Sequence, residues 1–212
     1  MTLQITREGK VVIRTPLKTP DDEIERFFLS RRGWIVKKIK GRRTGDEGAL
    51  QPRRFVAGEV FLYLGEAYPL EIGDSNGGGK GLVLRHGKFV LAREKMSQAR
   101  DVFRHWYRER AREILAERVA FWGRRFALAP ARITITSAWQ RYGSCSSTNA
   151  LSFSWRLLMA PYPVIDYIII HELAHIKEKN HSRKFWAYLE SLMPEYETPK
   201  EWLRENGCLL RL

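Results

Sequence analysis

Cysteine is scarce in this chain: only Cys145 and Cys208 occur. Two thiols cannot build a disulfide scaffold, and such sparing use suits a reducing, cytoplasmic compartment. Long hydrophobic runs are missing as well. The longest, Val164 to Ile170, is interrupted by Asp166; a membrane-spanning helix needs roughly 20 apolar residues, so no membrane span is expected. Met1 to Glu8 lack the basic-then-apolar order of a secretory leader, and the expectation is a protein that is not exported. Internal repeats and low-complexity tracts are absent too. What remains is 44% hydrophobic and 29% charged over 212 positions, a globular composition long enough for a sizeable core.

Acidic residues are the minority, 24 against 37 Lys and Arg, and the resulting +13 is concentrated in two places. Arg31 to Arg54 holds nine basic and two acidic residues, and Arg100 to Arg141 holds ten arginines and four acidic residues. The rest of the chain balances. Such segments attract polyanions, either nucleic acid or a phosphorylated small molecule, and they equally suit solvated helix faces. Arg104, Arg108 and Arg112, one turn apart on a helix, are the candidates for nucleic-acid or phosphate contact.

Apolar periodicity divides the chain into a β-rich N-terminal part, residues 1–94, and a helical part with a small sheet, residues 95–212, the two packed as one unit. Leu3, Ile5, Val11 and Ile13 alternate about a Glu8-Gly9 turn and predict a hairpin. Thr19-Pro20-Asp21 supplies an N-cap and first turn for a helix through Ile24 and Phe27, resuming from Trp34 to Ile39 before a loop over residues 41–52. Strands are expected at Glu59–Leu64, Tyr68–Ile72, Leu82–Leu84 and Lys88–Leu91, with Asn76–Gly79 as a loose hairpin tip. A long helix from Met96 to about Ala127 would bury Val102, Trp106, Ile114, Val119 and Phe126 and end at Pro130. Strands Arg132–Ser137 and Ala150–Trp155 would follow, joined by a polar connection over residues 141–149. A strongly apolar helix then opens at Pro161 and Pro163, and two short helices, near Ser182–Leu192 and Pro199–Asn206, finish the chain. The fold class is α+β.

The apolar helix ends in His171-Glu172-Leu173-Ala174-His175. Imidazoles four residues apart share one helix face, so both can reach one metal ion. Glu172 lies about 100° further round, where its carboxylate can take a proton from a water in the metal's open position. His181 follows His175 by six residues, a spacing that requires the chain to turn back, and Asn180 suits a left-handed turn. Three neutral imidazoles leave a fourth position open, the pattern of a catalytic zinc. His86 and His105 stand apart and are expected to be structural or solvated.

Arg141-Tyr142-Gly143-Ser144-Cys145-Ser146, Ser154-Trp155-Arg156-Leu157, Ala160-Pro161, Val164-Ile165-Asp166-Tyr167, the His-Glu motif and Asn180-His181-Ser182 followed by Phe185-Trp186 together resemble the YgjP-like metallopeptidase family. That family is similar to SprT-like and WLM proteins in its zinc-binding motif. The resemblance implies a zinc-dependent hydrolase fold of the minimal gluzincin or SprT type. It departs at Tyr142, where the family usually has Trp, and Glu178 stands where metzincins carry Gly.

Arg141, Tyr142, Ser144 and Cys145 are candidates for a wall of the substrate cleft. They could pair with an extended peptide or hold an oxyanion; the alternative is a tight turn in which Gly143 supplies backbone freedom. Phe185 and Trp186 are expected to pack behind the metal site. The leading expectation is a cytoplasmic zinc metallopeptidase acting on a protein or peptide. His171, His175 and His181 would hold the metal and Glu172 would be the catalytic base. The basic segments could bring the enzyme to nucleic acid, there to cut bound proteins as SprT-like proteins do. One alternative uses the same site to hydrolyse a nucleoside triphosphate. Another is a nucleic-acid-binding module with structural zinc, which would have no use for Glu172.

Overall fold

The structure is a computed structural model, and it describes residues 1–5, 11–16, 19, 20, 23, 24, 27, 53–74 and 81–212. The chain divides into two units, Met1–Pro52 and Arg53–Leu212. In the first, β1 (Thr2–Ile5) and β2 (Val11–Arg14) pair antiparallel with Thr2 opposite Arg14, the expected hairpin. Residues 23, 24 and 27 are helical, and the Pro20 carbonyl accepts from Glu23 and Ile24 N–H at 3.1 and 3.2 Å. The Thr19 hydroxyl donates to the Pro16 carbonyl at 2.9 Å, and the N–H groups it would cap lie outside the described residues. The expected helix at Trp34–Ile39, the loop over 41–52, the Asn76–Gly79 tip and all of the first basic segment except Arg53 and Arg54 lie outside the described residues.

The second unit begins with a four-stranded sheet: β3 (Val60–Tyr63), β4 (Glu66–Gly73), β5 (Leu82–Arg85) and β6 (Lys88–Ala92), in the order β3-β4-β6-β5. β4 and β6 run parallel and the other neighbours antiparallel. Both hairpins turn through two left-handed residues, Leu64–Gly65 (φ 53° and 87°) and His86–Gly87 (φ 48° and 73°). That is the I′ geometry whose twist matches the flanking strands.

α1 (Ala99–Phe126) packs against this sheet. Its buried residues are Ala99, Phe103, Tyr107, Ala111, Leu115, Val119 and Gly123, one every four positions. Each step of four overshoots a full turn by about 40°, so the buried stripe winds around the helix and meets different partners along its length. Near its start Phe103 stacks on Phe61 at 4.3 Å, and the Tyr107 hydroxyl donates to the Leu62 carbonyl. The stripe differs from the expected one, of which only Val119 belongs to it; Val102, Trp106, Ile114 and Phe126 flank it half-buried. Ala99, Ala111 and Gly123 admit close approach but carry little apolar signal in sequence. The helix stops before Pro130, in a Schellman motif: Ala127 is left-handed (φ 53°) and Leu128 N–H reaches the Gly123 carbonyl at 2.8 Å. A Cβ at Gly123 would lie 2.7 Å from the Leu128 oxygen.

β7 (Arg132–Thr136), β8 (Gly143–Cys145) and β9 (Ala150–Ser154) form a second sheet in the order β7-β9-β8, with β7 parallel and β8 antiparallel to β9. The stretch expected as a polar connection therefore contains an edge strand. A 3-10 turn at Trp155–Met159 leads to α2 (Tyr162–Ala174), and α3 (Arg183–Leu192) and α4 (Glu197–Asn206) pack on it. α2 is apolar on nearly every side because it is surrounded, with Val164, Ile165, Tyr167, Ile169, Ile170, Leu173 and Ala174 all buried. Asp166 is its one acid before the motif, and Arg118 of α1 holds that carboxylate with two bonds, 2.8 and 2.5 Å. The front of α2 is set by the β3–β4 turn: a Cβ at Gly65 would lie 2.7 Å from Pro161 Cβ, and Leu64 N–H donates to the Leu158 carbonyl at 2.7 Å. Among the described residues no helix is long and apolar enough to cross a membrane.

Candidate active site

α2 carries His171 on its last turn and ends at Ala174, so His175 is its C-cap. The N–H groups of Ile176, Lys177 and Glu178 fold back onto the carbonyls of Leu173 and Ala174 at 3.0–3.1 Å. The chain therefore starts to turn immediately after His175, and it bends again at Asn180 without the left-handed conformation expected there. Ser182 then caps α3 by accepting from Phe185 N–H. This short return brings His181 back to the helix. His181 Nε2 lies 2.9 Å from His171 Nε2 and 3.1 Å from His175 Nε2.

His171, His175 and His181 are the group among the described residues whose ligand atoms converge tightly enough for one metal ion, all within 4.8 Å. Phe185 supports all three rings from behind, with centroids at 4.9, 4.4 and 4.9 Å. Trp186 lies 5.8 Å from His181, so both aromatics pack where the sequence placed them. His175 is buried and donates from Nδ1 to the Glu178 carbonyl at 2.9 Å, which leaves Nε2 as a bare lone pair. Burial, followed by the neighbouring histidines and Lys200, pushes the His171 pKa down to about 3; burial also lowers that of His175. Neutral, convergent imidazole nitrogens fit a divalent transition metal and suit zinc well.

Glu172 faces the second sheet. It is 6% exposed, and a Cβ at Gly143 would stand 2.6 Å from its Oε1 and 2.7 Å from its Cγ. Gly143 is a strand residue with ordinary backbone, so its missing side chain provides space for the carboxylate and not freedom for a turn. Burial pushes the Glu172 pKa up to about 7, and Arg141 opposes that rise. No hydrogen bond from the described residues reaches the carboxylate.

The cleft candidates divide. Arg141 is exposed and acts on Glu172 through its charge. Tyr142 turns its hydroxyl away, donating to the Gly207 carbonyl at 2.8 Å, and burial raises its pKa. Ser144 lies opposite Ser152 in β8. The Tyr142 carbonyl and Ser146 N–H bond β9 at 2.8 and 2.9 Å. By alternation the N–H and C=O of Gly143 and Cys145 therefore face the open edge of the sheet. Cys145 is half-buried, and Lys179 donates toward its sulfur at 3.9 Å. Burial raises the Cys145 pKa against the pull of Lys179. Lys179 was not singled out in the sequence: a lone lysine in a charged loop carries no local signal for a contact some thirty residues away.

The arginine stripe is partly neutralised. Arg104 pairs with Asp101 at 2.8 Å, Arg112 pairs with Glu109, and Arg108 donates to Ser137 Oγ at 3.0 Å. His86 sits exposed in its hairpin turn and His105 is exposed on α1, both outside the histidine cluster.

No curated protein matched the chain. The crystal structure of the metallopeptidase zymogen abylysin from Pyrococcus abyssi is similar at 20% identity, covering 46% of this chain and 96% of that one with a TM-score of 0.40. A family model described as YgjP-like, metallopeptidase domain matches residues 1–206, so the chain belongs to the YgjP-like metallopeptidases and is a metal-dependent peptidase.

Proposed function

We propose that the enzyme hydrolyses peptide bonds in an extended chain laid along β8, with His171, His175 and His181 holding a zinc ion and Glu172 moving the proton. The observation that carries this reading is the convergence of the three Nε2 atoms beside a carboxylate buried at a sheet edge. A zinc ion supplies Lewis acidity, polarising the scissile carbonyl and easing deprotonation of water. Glu172 accepts the proton of the attacking water and passes it to the leaving amine. Arg141 favours the ionised, proton-accepting form of Glu172. The Glu178 carbonyl holds His175 in the tautomer that offers Nε2. The outward N–H and C=O groups of Gly143 and Cys145 hydrogen-bond the substrate backbone as an added strand.

An all-imidazole donor set supports zinc as the resident metal, and it also accepts other divalent transition metals. The buried carboxylate beside the cluster favours this reading over a structural zinc, and the open sheet edge favours a peptide over a nucleotide. A reducing compartment keeps Cys145 and Cys208 as thiols. Nucleic acid near the substrate is a further part of the reading, supported by the charge of +13. The test is to incubate zinc-loaded protein and its Glu172→Gln variant with an unfolded protein and with nucleoside triphosphates. Peptide cleavage by the parent alone supports the reading; nucleotide hydrolysis without peptide cleavage overturns it.

A further inference from the structure

We propose that Lys179 is a positioning residue for the metal site, a clasp whose ammonium ties the His175–His181 loop to the β8–β9 turn and so fixes His181. The inference rests on reading His171, His175 and His181 as the metal-holding set, and it adds a residue that touches neither metal nor substrate.

His181 needs such a device more than its two partners do. His171 is built into α2 and His175 caps it, whereas His181 is exposed and lies in irregular chain before α3. The backbone bonds of residues 176–178 return to α2, and Ser182 N–H reaches only Asn180 at 2.7 Å. These bonds shape the loop without attaching it to the opposite wall of the cleft. The Lys179 side chain makes that attachment. Its Nζ donates to the Ser146 carbonyl at 3.2 Å, to Asn149 Oδ1, and toward Cys145 Sγ at 3.9 Å. Three donors meet three acceptors, and none of them is a carboxylate, so the contact is directional and not a simple ion pair.

The receiving turn is itself firmly held. Ser146 N–H bonds Ala150 at 2.9 Å, Asn149 N–H bonds Ser146 at 3.1 Å, Ala150 N–H bonds Ser146 Oγ at 3.0 Å, and the Asn149 carbonyl accepts from Ala131 at 2.9 Å. A side chain that crosses from an exposed loop to this turn transfers the turn's rigidity to the third histidine. Outer-shell groups of this kind typically change metal affinity by about 10–100-fold when removed.

The experiment measures the zinc dissociation constant by competition with a chromogenic chelator, and amide exchange over residues 176–182 in metal-free protein. The variants are Lys179→Met, Asn149→Gly, their double, and His175→Ala. Glycine at 149 tolerates the native φ of 59° while removing the acceptor. The clasp predicts roughly tenfold weaker zinc binding and faster loop exchange in Lys179→Met, with the urea midpoint of the metal-free protein unchanged. Asn149→Gly should act in the same direction, and the double variant should bind no more weakly than Lys179→Met. Parent-like zinc affinity and exchange in Lys179→Met, or additive losses in the double variant, overturn the clasp. Parent-like zinc affinity in His175→Ala instead overturns the metal-site reading beneath it.

Discussion

Gly143 and Glu172 occupy one space: the position where a Cβ would stand on residue 143 lies 2.6 Å from Glu172 Oε1. The two residues come from different elements, an edge strand and the last turn of a helix, and the absence of a side chain on one positions the carboxylate of the other. Gly143→Ala should therefore keep the fold and the bound metal while lowering kcat. A displacement of about 1 Å at a reacting group can cost on the order of 10²-fold. Steady-state kinetics beside a metal assay measures this, and parent-like turnover in a folded alanine variant would refute the packing argument.

Glu172→Gln changes one atom in the same space. The variant should melt with the parent, retain its metal, and lose about 10²–10⁴-fold in peptide hydrolysis, the usual contribution of general acid–base catalysis. Single-turnover cleavage of an unfolded protein measures the loss.

Metal removal should lower stability, because an ion that binds only the folded cluster stabilises it by mass action. At about a thousand times its dissociation constant the gain is about 4 kcal/mol. Dialysis against a chelator followed by zinc addition should move Tm down and back up. His171→Ala with His175→Ala should abolish the zinc-dependent shift, and its persistence would locate the metal elsewhere.

The Arg118–Asp166 pair should be worth more than the exposed helical pairs. Its side chains are 25% and 13% exposed and share two bonds, whereas Arg104 and Asp101 are 51% and 67% exposed. Arg118→Met leaves a half-buried carboxylate without its partner, a loss of about 1–3 kcal/mol. Arg104→Met should cost under about 1 kcal/mol. Urea midpoints of the two variants compare these directly.

Polyanion binding, where it occurs, should depend on the arginines of α1 that have no acidic partner among the described residues. Arg124→Glu with Arg125→Glu should weaken DNA or RNA binding more than Arg104→Glu with Arg112→Glu, whose wild-type charges are paired. A contact with about five phosphates would lose a few hundredfold between 50 and 200 mM salt. A flat salt titration would assign these arginines to solvation and to the dipole at the end of α1.

Most elements were legible in the sequence because their signals are local. The strands of the first sheet are mostly short apolar runs between turn signals, α1 and α2 are long, and His171, His175 and His181 announce themselves by spacing. What escaped depends on contacts between distant segments. β8 is three residues long and only half-buried, too short for alternation to register, and exists because β9 pairs with it. The winding stripe of α1 includes alanine and glycine, which no hydrophobic count selects. Gly143 reads as a turn residue until Glu172 is packed against it, and Lys179 has no meaning without Asn149.

The turn at Leu64–Gly65 sets a mechanical tolerance for the chemistry. It rests against Pro161, the residue from which α2 starts. A helix advances 1.5 Å per residue, so a slip of α2 along its own axis by a single residue would carry His171, Glu172 and His175 together past a stationary His181 and β8. The hairpin tip acts as an end stop against that slip. Lengthening the β3–β4 turn by one residue, more than a hundred positions before the cluster in sequence, is thus a way to put the whole site out of register without altering any of its residues.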